Sequence, residues 1–199
     1  RRDPVANALR TPSGRIEIFS QTIDSFGYTD CAGHARWYEP VEWLGSPKVA
    51  KHPLHMLSDQ PFTKLHSQLD HSKLSRANKI ANREPITMHP QDAADRGISD
   101  GDVVRVFNDR GSCLAGVRLS SKIRAGVVKL STGAWFDPAD WGMDNSLDKH
   151  GNPNVLTLDT GASQLSQGSI AQTCLVDVER YKGALPPVTA FVPPTVTTR

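Results

Sequence analysis

The chain has 199 residues, of which 38% are hydrophobic, and 23 Lys and Arg residues against 21 Asp and Glu residues give a formal net charge of +2. This length suits one domain with extended ends. The balanced charge gives no electrostatic footprint for nucleic acid, and no apolar run reaches the roughly 20 residues of a membrane-spanning helix. We therefore expect neither nucleic acid nor a membrane span.

The first 50 residues are rich in loop signals and lack a core of their own. One strand is predicted at residues 15–19, and Gly and Pro residues interrupt the segment that follows. The first Met is Met56, so the chain is expected to be a fragment or a processed product. We interpret residues 1–50 as an extended arm that packs on the missing upstream part of a larger protein.

From residue 51 to residue 183 the pattern changes to short strands separated by Gly, Pro and Asp turns, which is typical of a barrel or sandwich. A short helix is predicted to begin at His89-Pro90 and to end at Gly97. Apolar or alternating segments predict strands at residues 86–88, 103–108, 113–119, 127–130, 155–158 and 173–178, and residues 54–57 are a further apolar segment. Residues 184–199 form a Pro-rich tail that is predicted to lie extended on the surface.

The cysteines and histidines indicate no metal centre. Cys31, Cys113 and Cys174 are far apart, so neither a disulfide framework nor a zinc or iron–sulfur site is predicted. Cys113 and Cys174 lie in apolar, strand-like segments and are expected to be small buried hydrophobes. Four histidines have no spacing that aims two imidazole rings at one point with carboxylate support, namely His52, His55, His71 and His89.

Five segments of the chain carry a resemblance to a known family. In order, they read HPLHMLSDQPFTKLHSQL, REPITMHPQDAADRGISDGDVVRVFNDRGSCLAG, STGAWFDP, GNPNVLTLDTGASQLSQGS and LVDVERYKG. Together they resemble the C-terminal domain of molybdopterin oxidoreductases of the dimethyl sulfoxide reductase family, which includes dimethyl sulfoxide, trimethylamine N-oxide and biotin sulfoxide reductases. The resemblance covers most of the chain, and the agreement of several segments in order and spacing makes it specific.

The resemblance implies a mainly β fold with short helices, a six-stranded double-psi β-barrel. It also implies a bis(molybdopterin guanine dinucleotide) molybdenum cofactor and the reduction of a small S-oxide or N-oxide by oxygen-atom transfer. In such enzymes the upstream domains supply the metal ligand and the substrate funnel. This chain is therefore expected to hold the guanine dinucleotide parts of the cofactor, to contain no catalytic residue or metal ligand, and to be inactive alone. The resemblance further implies a periplasmic location, the remaining domains of the same enzyme as partner, and an electron-donor cytochrome as a candidate partner.

Two polar segments are the candidate cofactor-binding sites that follow from this resemblance. A dinucleotide presents phosphate oxygens, ribose hydroxyls and base edges, which hydroxyls, amides, backbone N–H groups and cations can bind. The first site is predicted to comprise Ser58, Lys64, His66, Ser67 and Gln68, with Lys64 as a compact positive charge for a phosphate. The second is predicted to comprise Asn154, Gln167 and Gly168, with the glycine allowing close backbone approach. The alternative for the first site is an ordinary solvated loop, and for the second it is turn chemistry. Trp135 is expected only to neighbour the cofactor.

The segment LTLDTGAS offers a competing interpretation. Asp159-Thr160-Gly161 after an apolar segment is how the catalytic loop of a retroviral-type aspartic protease reads. Such a protease needs a second apolar-Gly motif downstream, a flap, and a second Asp that shares the proton, and too few residues follow Ser163 to supply them. A further alternative is a stand-alone double-psi barrel that acts as a binding module, because a fold does not fix a function.

Overall fold

The computed structural model describes residues 3–170 and 172–193. Its described strands are β1 (Leu54–Leu57), β2 (Pro85–Met88), β3 (Val103–Phe107), β4 (Ser112–Leu119), β5 (Val127–Leu130) and β6 (Thr173–Arg180). Its described helices are short, namely α1 (Gln21–Asp24), α2 (Lys73–Asn78), α3 (Pro90–Ala94) and the 3₁₀ turns Pro47–Ala50 and Pro153–Val155. The predicted mainly β fold is confirmed.

The six strands close into a barrel in the order β1-β5-β2-β4-β3-β6. Two neighbouring pairs, β1 with β5 and β2 with β4, are parallel, and the remaining four pairs are antiparallel. Closure leaves no strand edge unpaired, which removes the usual site of edge-to-edge aggregation. The architecture is the predicted six-stranded double-psi β-barrel.

The hydrophobic core fills the inside of the barrel because side chains alternate along each strand. In β5, for example, Val128 and Leu130 are fully buried whereas Lys129 points outward. Cys113 on β4 and Cys174 on β6 belong to this core, which confirms that they are small buried hydrophobes. The strands therefore present their loops at the ends of a rigid, well-packed body.

Helix α3 begins where its capping residues predict. The His89 side chain accepts a hydrogen bond from the backbone N–H of Gln91, and Pro90 occupies the first turn, where its missing N–H costs nothing. The turn after the helix ends at Gly97, whose φ of 64° is the left-handed conformation that glycine adopts readily. The predicted start of this helix is confirmed, and its end lies at Ala94, three residues before the predicted Gly97.

Two predicted strands are absent from the described residues. Residues 15–19 form bends and irregular backbone, and Ile16 is 83% exposed. Arg15 bonds locally, since its N–H donates to Ser13 Oγ and its carbonyl accepts from Thr11 Oγ1, and none of the described strands pairs with this segment. Residues 155–158 are also not a strand. Pro153 starts a 3₁₀ turn that the Asn152 side chain caps, and Leu156 then enters the barrel core.

The chain divides into two compact units. The first comprises Arg1–Pro40 and Thr160–Ser169, and the second comprises Val41–Asp159 and Ile170–Arg199 and contains the barrel. Glu42, near the start of the second unit, is anchored there by Arg110 and by the backbone N–H of Leu175.

The tail is anchored as far as the structure describes it. Thr189 donates its backbone N–H and its hydroxyl to the Asp137 carboxylate, at 2.6 Å each, and Arg83 Nη2 donates to Pro186 O at 2.6 Å. The last six residues of the predicted tail lie outside the described residues. Among the described helices, none has the length and apolar character that crossing a membrane requires.

Candidate functional site

Residues 64–70 form a tight loop, here named the 64–70 loop, that presents polar side chains at its tip. Gln68 N donates to Leu65 O at 2.8 Å, and His66 and Leu69 adopt positive φ angles of 50° and 64°. Left-handed backbone at a residue other than glycine costs about 1–3 kcal/mol and persists only where the surroundings enforce it. The strained turn leaves His66, Ser67 and Gln68 exposed.

A buried cluster of two lysines and two carboxylates holds both ends of this loop. Lys64 Nζ lies 2.8 Å from Asp70 Oδ1 and 2.6 Å from Glu84 Oε2, while Lys79 Nζ lies 2.9 and 2.8 Å from the same two atoms. None of these side chains is more than 2% exposed. Burial opposes ionisation of Asp70, but hydrogen bonds from Lys64 and Lys79 outweigh it and lower the Asp70 pKa to about 2. We name these four residues the charge cluster.

The position of Lys64 corrects one prediction. Its ammonium was expected to be a positive charge that contacts a phosphate, but the side chain has no exposed surface. A buried ammonium requires charged or hydrogen-bonding partners, and Asp70 and Glu84 supply them inside the protein. In this structure Lys64 supports the 64–70 loop from within instead of facing a ligand.

The loop that follows β5 packs directly on the 64–70 loop at Gly133. A Cβ atom at this position would lie 1.8 Å from His66 O and 2.5 Å from His66 C, far inside any permitted contact. Gly133 also has a φ of 94°, which residues with a side chain rarely adopt. Only glycine therefore allows the two backbones to meet here.

Trp135 links the two loops and is held from several sides. Its backbone N–H donates to Asp70 Oδ2 at 3.0 Å, and its indole Nε1 donates to Ser67 O at 2.8 Å. Its carbonyl oxygen accepts from His150 Nδ1 at 2.9 Å. Burial lowers the pKa of His150, and the nearby positive charge of Lys79 adds to this effect. The Trp135 ring packs edge-on against Phe191 at 5.4 Å.

A buried carboxylate, Asp148, organises the third loop of the site. Asp148 Oδ2 accepts the backbone N–H groups of His150, Gly151 and Asn152 at 3.2, 2.7 and 2.7 Å, and Oδ1 accepts that of Asp137 at 2.8 Å. Burial raises the pKa of Asp148, although these four donors act in the opposite direction. The turn that results leads into the 3₁₀ turn Pro153–Val155, whose Asn154 is exposed.

These three loops line one cavity of about 410 Å³, here named the binding cavity. Its lining residues are His66, Ser67, Thr132, Gly133, Ala134, Trp135, Phe136, Asn152 and Asn154. A larger cavity of about 740 Å³, between the β3–β4 turn and residues 136–159, shares Phe136 and Asn154 with it. We regard the smaller cavity as the centre of the site because predicted residues from two separate loops meet there.

The donor set of the binding cavity fits a nucleotide. Two hydroxyls, two amides and one imidazole can donate and accept hydrogen bonds along the edges of a base or at a phosphate. Gly133 lets backbone approach closely, and the rings of Trp135 and Phe136 provide apolar wall. Among the described residues, no group of three or more His, Cys, Asp or Glu side chains could hold a metal ion. The cavity therefore suits the organic part of a cofactor.

Comparison with known proteins agrees with this reading of the cavity. Residues 54–175 match the family described as "Molydopterin dinucleotide binding domain". The chain belongs to this family. Over 194 residues it is 48% identical to dimethyl sulfoxide/trimethylamine N-oxide reductase of Rhodobacter capsulatus, and this alignment covers 98% of this chain and 24% of that protein. It is 49% identical over 191 residues to trimethylamine-N-oxide reductase 1 of Escherichia coli (strain K12), covering 95% of this chain and 22% of that protein.

The solved structures support the same fold. Acetylene hydratase from Pelobacter acetylenicus superposes with a TM-score of 0.71 at 17% sequence identity, covering 89% of this chain and 25% of that one. At this identity the likeness concerns the fold alone. The chain spans about a quarter of the length of the curated relatives it matches.

The family match also bears on the protease hypothesis. Asp159-Thr160-Gly161 lies within the matched residues 54–175. The motif is thus part of a molybdopterin dinucleotide binding domain, and residues 155–158 before it are not the strand that a protease loop would require. The aspartic protease hypothesis loses its support.

The structure brings together three of the predicted cofactor-binding residues in this molybdopterin domain, namely His66, Ser67 and Asn154. Ser58 follows β1, donates its N–H to Gln172 O at 2.8 Å, and is not among the residues lining the binding cavity. Gln68 is exposed at the tip of the 64–70 loop without lining the cavity. Their contact with a cofactor stays a prediction.

Gln167 and Gly168 belong to the first unit and are described there alone. Gln167 Nε2 donates to Ser163 O at 3.1 Å, and Gly168 N donates to Ser166 Oγ at 3.3 Å. A Cβ on Gly168 would meet Ser166 Oγ at 3.5 Å, an ordinary contact. Turn chemistry accounts for these bonds, and cofactor binding by the two residues stays a prediction.

Sequence reasoning missed the residues that shape the site from behind. Asp70 and Asp148 are fully buried, and their roles depend on partners in other loops. Thr132 and Asn152 line the cavity beside predicted residues. One signal was available for Gly133, because a glycine directly after a strand, in Ser-Thr-Gly-Ala, indicates a turn or a close backbone approach.

Proposed function

We propose that this chain is the cofactor-binding portion of a molybdenum enzyme that reduces S-oxides or N-oxides, and that it holds the guanine dinucleotide parts of bis(molybdopterin guanine dinucleotide) molybdenum. The observation that carries the proposal is the binding cavity, where three loops converge with hydroxyl, amide and imidazole side chains that suit a nucleotide. The identity of nearly half over almost the whole chain with reductases of such oxides supports it.

The residues of this chain bind and orient the cofactor. The His66 imidazole, the Ser67 and Thr132 hydroxyls and the Asn154 amide would hold polar edges of the dinucleotide, while Trp135 would shield one side of it from water. When bound, the cofactor supplies the oxygen-atom transfer and the two electrons that the reduction requires. We assign no catalytic residue and no metal ligand to this chain.

We further propose that the partner of this domain is the remainder of the same polypeptide, and that a cytochrome donates the electrons. The quarter of the relatives' length that the chain spans supports the first part. A periplasmic location is proposed on the resemblance to oxide reductases that are exported with their cofactor. Fractionation of the source cells tests it, because recovery of the protein with cytoplasmic markers would contradict the proposed location.

The full-length protein that carries this chain tests the proposed function. It should be purified from molybdate-supplied cells, and its molybdenum should be measured by mass spectrometry and its released guanine nucleotide by chromatography. Reduction of dimethyl sulfoxide and trimethylamine N-oxide with a reduced dye should accompany about one molybdenum per protein. Full-length protein without molybdenum and without released nucleotide would contradict the proposal.

A stand-alone barrel that binds another partner is the competing function, because the same fold also serves non-catalytic modules. The native mass separates the two. A natural protein near 21.7 kDa without molybdenum would favour the binding module, whereas a polypeptide about four times as long with molybdenum would favour the reductase.

A further inference from the structure

We propose that the ion pair between Lys64 and Asp70 is a positioning device that closes the 64–70 loop into the conformation in which His66 and Ser67 face the binding cavity. The two residues bind no ligand themselves and act through the loop between them. This inference rests on the proposed function and extends it to residues whose side chains are wholly buried.

The first argument is the geometry of the loop. Lys64 and Asp70 are its two ends, and the 2.8 Å bond between Nζ and Oδ1 joins them beneath the exposed tip. The tip contains two residues with positive φ, His66 and Leu69. The other described polar bonds of the tip are Gln68 N to Leu65 O, Ser72 N to Leu69 O, the contacts of Gln60 with His66, and Trp135 Nε1 to Ser67 O. A strained turn needs surroundings that enforce it, and the ion pair is the restraint that joins the two ends of the loop directly.

The second argument is that Asp70 also sets the opposite wall of the cavity. Its Oδ2 accepts the backbone N–H of Trp135 at 3.0 Å, and Trp135 Nε1 donates to Ser67 O at 2.8 Å. Its Oδ1 also accepts from Ser75 Oγ at 3.0 Å, which ties the pair to helix α2. A displaced Asp70 would therefore move both walls between which a ligand lies.

The third argument concerns charge balance and shows how to isolate the effect. Loss of one member of the charge cluster would leave a buried charge without its partner, which disturbs any fold. Removal of Lys64 and Asp70 together leaves Lys79 and Glu84 as a neutral pair at 2.8 Å. Removal of Lys79 and Glu84 together leaves the ion pair of the loop intact. Neither Lys79 nor Glu84 lines the binding cavity, so this second removal is a matched control.

The experiment compares two double variants of the full-length protein, Lys64→Met with Asp70→Asn, and Lys79→Met with Glu84→Gln. Three quantities should be measured: molybdenum per protein after gel filtration, the thermal midpoint, and hydrogen exchange of peptides that cover residues 64–70. The Lys64→Met, Asp70→Asn variant, here named the loop variant, should hold at least about fivefold less molybdenum per protein than wild type. This corresponds to the loss of one or two good hydrogen bonds. Its loop amides should exchange faster. The Lys79→Met, Glu84→Gln control variant should retain molybdenum within about twofold of wild type, even if its thermal midpoint falls as much as that of the loop variant.

Each result of this experiment either supports or contradicts the inference. Equal retention in the two variants, or losses that follow the thermal midpoint in both, would mean that the cluster only stabilises the fold, and the inference would be wrong. Unchanged exchange in the 64–70 peptide of the loop variant would refute it as well. Wild-type protein without molybdenum would instead contradict the proposed function, and the exchange comparison would still decide whether the ion pair holds the loop.

Discussion

Replacement of Gly133 by Ala should separate the two loops that form the binding cavity. The new Cβ would meet His66 O at 1.8 Å, and this oxygen belongs to backbone that no rotamer change can move. The φ of 94° adds a conformational cost of roughly 1–2 kcal/mol for a residue with a side chain, and the forced backbone shift adds roughly 1–3 kcal/mol. We expect a total loss of roughly 2–5 kcal/mol in the free energy of unfolding, together with poor retention of the cofactor.

The matched control for this variant is Gly101→Ala. Gly101 has a similar φ of 82°, and no atom lies within 4 Å of where its Cβ would be. This control isolates the conformational cost, which should be roughly 1–2 kcal/mol. Urea denaturation of both variants and molybdenum content of the full-length proteins are the measurements. If Gly133→Ala were no more destabilising than Gly101→Ala and kept its molybdenum, the close packing of the two loops would be refuted.

Three further predictions follow from the same structure. Burial opposes ionisation of Glu42, but hydrogen bonds from Arg110 and Leu175 N lower its pKa to about 2, so its carboxylate stabilises the fold above pH 4.5 and loses this effect as the pH falls toward 2. Glu42→Gln should therefore cost roughly 3 kcal/mol at pH 7 and much less near pH 2.5, and an equal loss in denaturant titrations at both pH values would contradict the assigned ion pair. Truncation of Ser67 and Gln68 to Ala in the full-length protein should remove hydrogen bonds of roughly 0.5–3 kcal/mol each and lower molybdenum retention several-fold. The rate per bound molybdenum should not change, and a hundredfold lower rate at full occupancy would show a role in catalysis. The 199-residue chain alone should reduce neither dimethyl sulfoxide nor trimethylamine N-oxide with a reduced dye, and turnover would show that the active site has been misassigned.

The barrel could be predicted from local sequence because its strands carry strong local signals. The bounds of β5, at residues 127–130, were predicted as the structure has them, since a Gly turn precedes an alternating apolar segment. Helix α3 followed from Pro90 and its capping His89. Residues 15–19 and 155–158 are equally apolar but are not strands, because strand formation depends on a partner strand that local sequence does not encode. Pro153 and the capping Asn152 were the local signals for a 3₁₀ turn instead.

The exposed half of the site could be predicted for a similar reason. His66, Ser67 and Asn154 were predicted because polar side chains in loops of the resembling segments are natural nucleotide ligands, and the structure places them on one cavity. Their contact with a cofactor stays a prediction. Asp148 could not be found, because its function is to accept four backbone N–H groups from two loops, and that arrangement exists only after folding. Long-range partners, and not residue type, distinguish the residues that shape the cavity from those that line it.

Lys64 shows why this distinction affects the interpretation of variants. A lysine beside His66 and Ser67 in a polar loop has the features of a phosphate ligand, and its replacement would weaken cofactor binding under either interpretation. The direction of its ammonium is decided by Asp70, six residues away, and by Glu84, twenty residues away. A single substitution of Lys64 therefore cannot separate a lost phosphate contact from an unpaired buried carboxylate. The balanced change of Lys64 with Asp70 removes the unpaired charge from the comparison, and hydrogen exchange of the 64–70 peptide then shows whether the loop itself has been released. If retention falls and the loop amides exchange faster in that balanced variant, while the Lys79 and Glu84 pair still holds the fold together, the buried lysine acts on the cofactor through the loop.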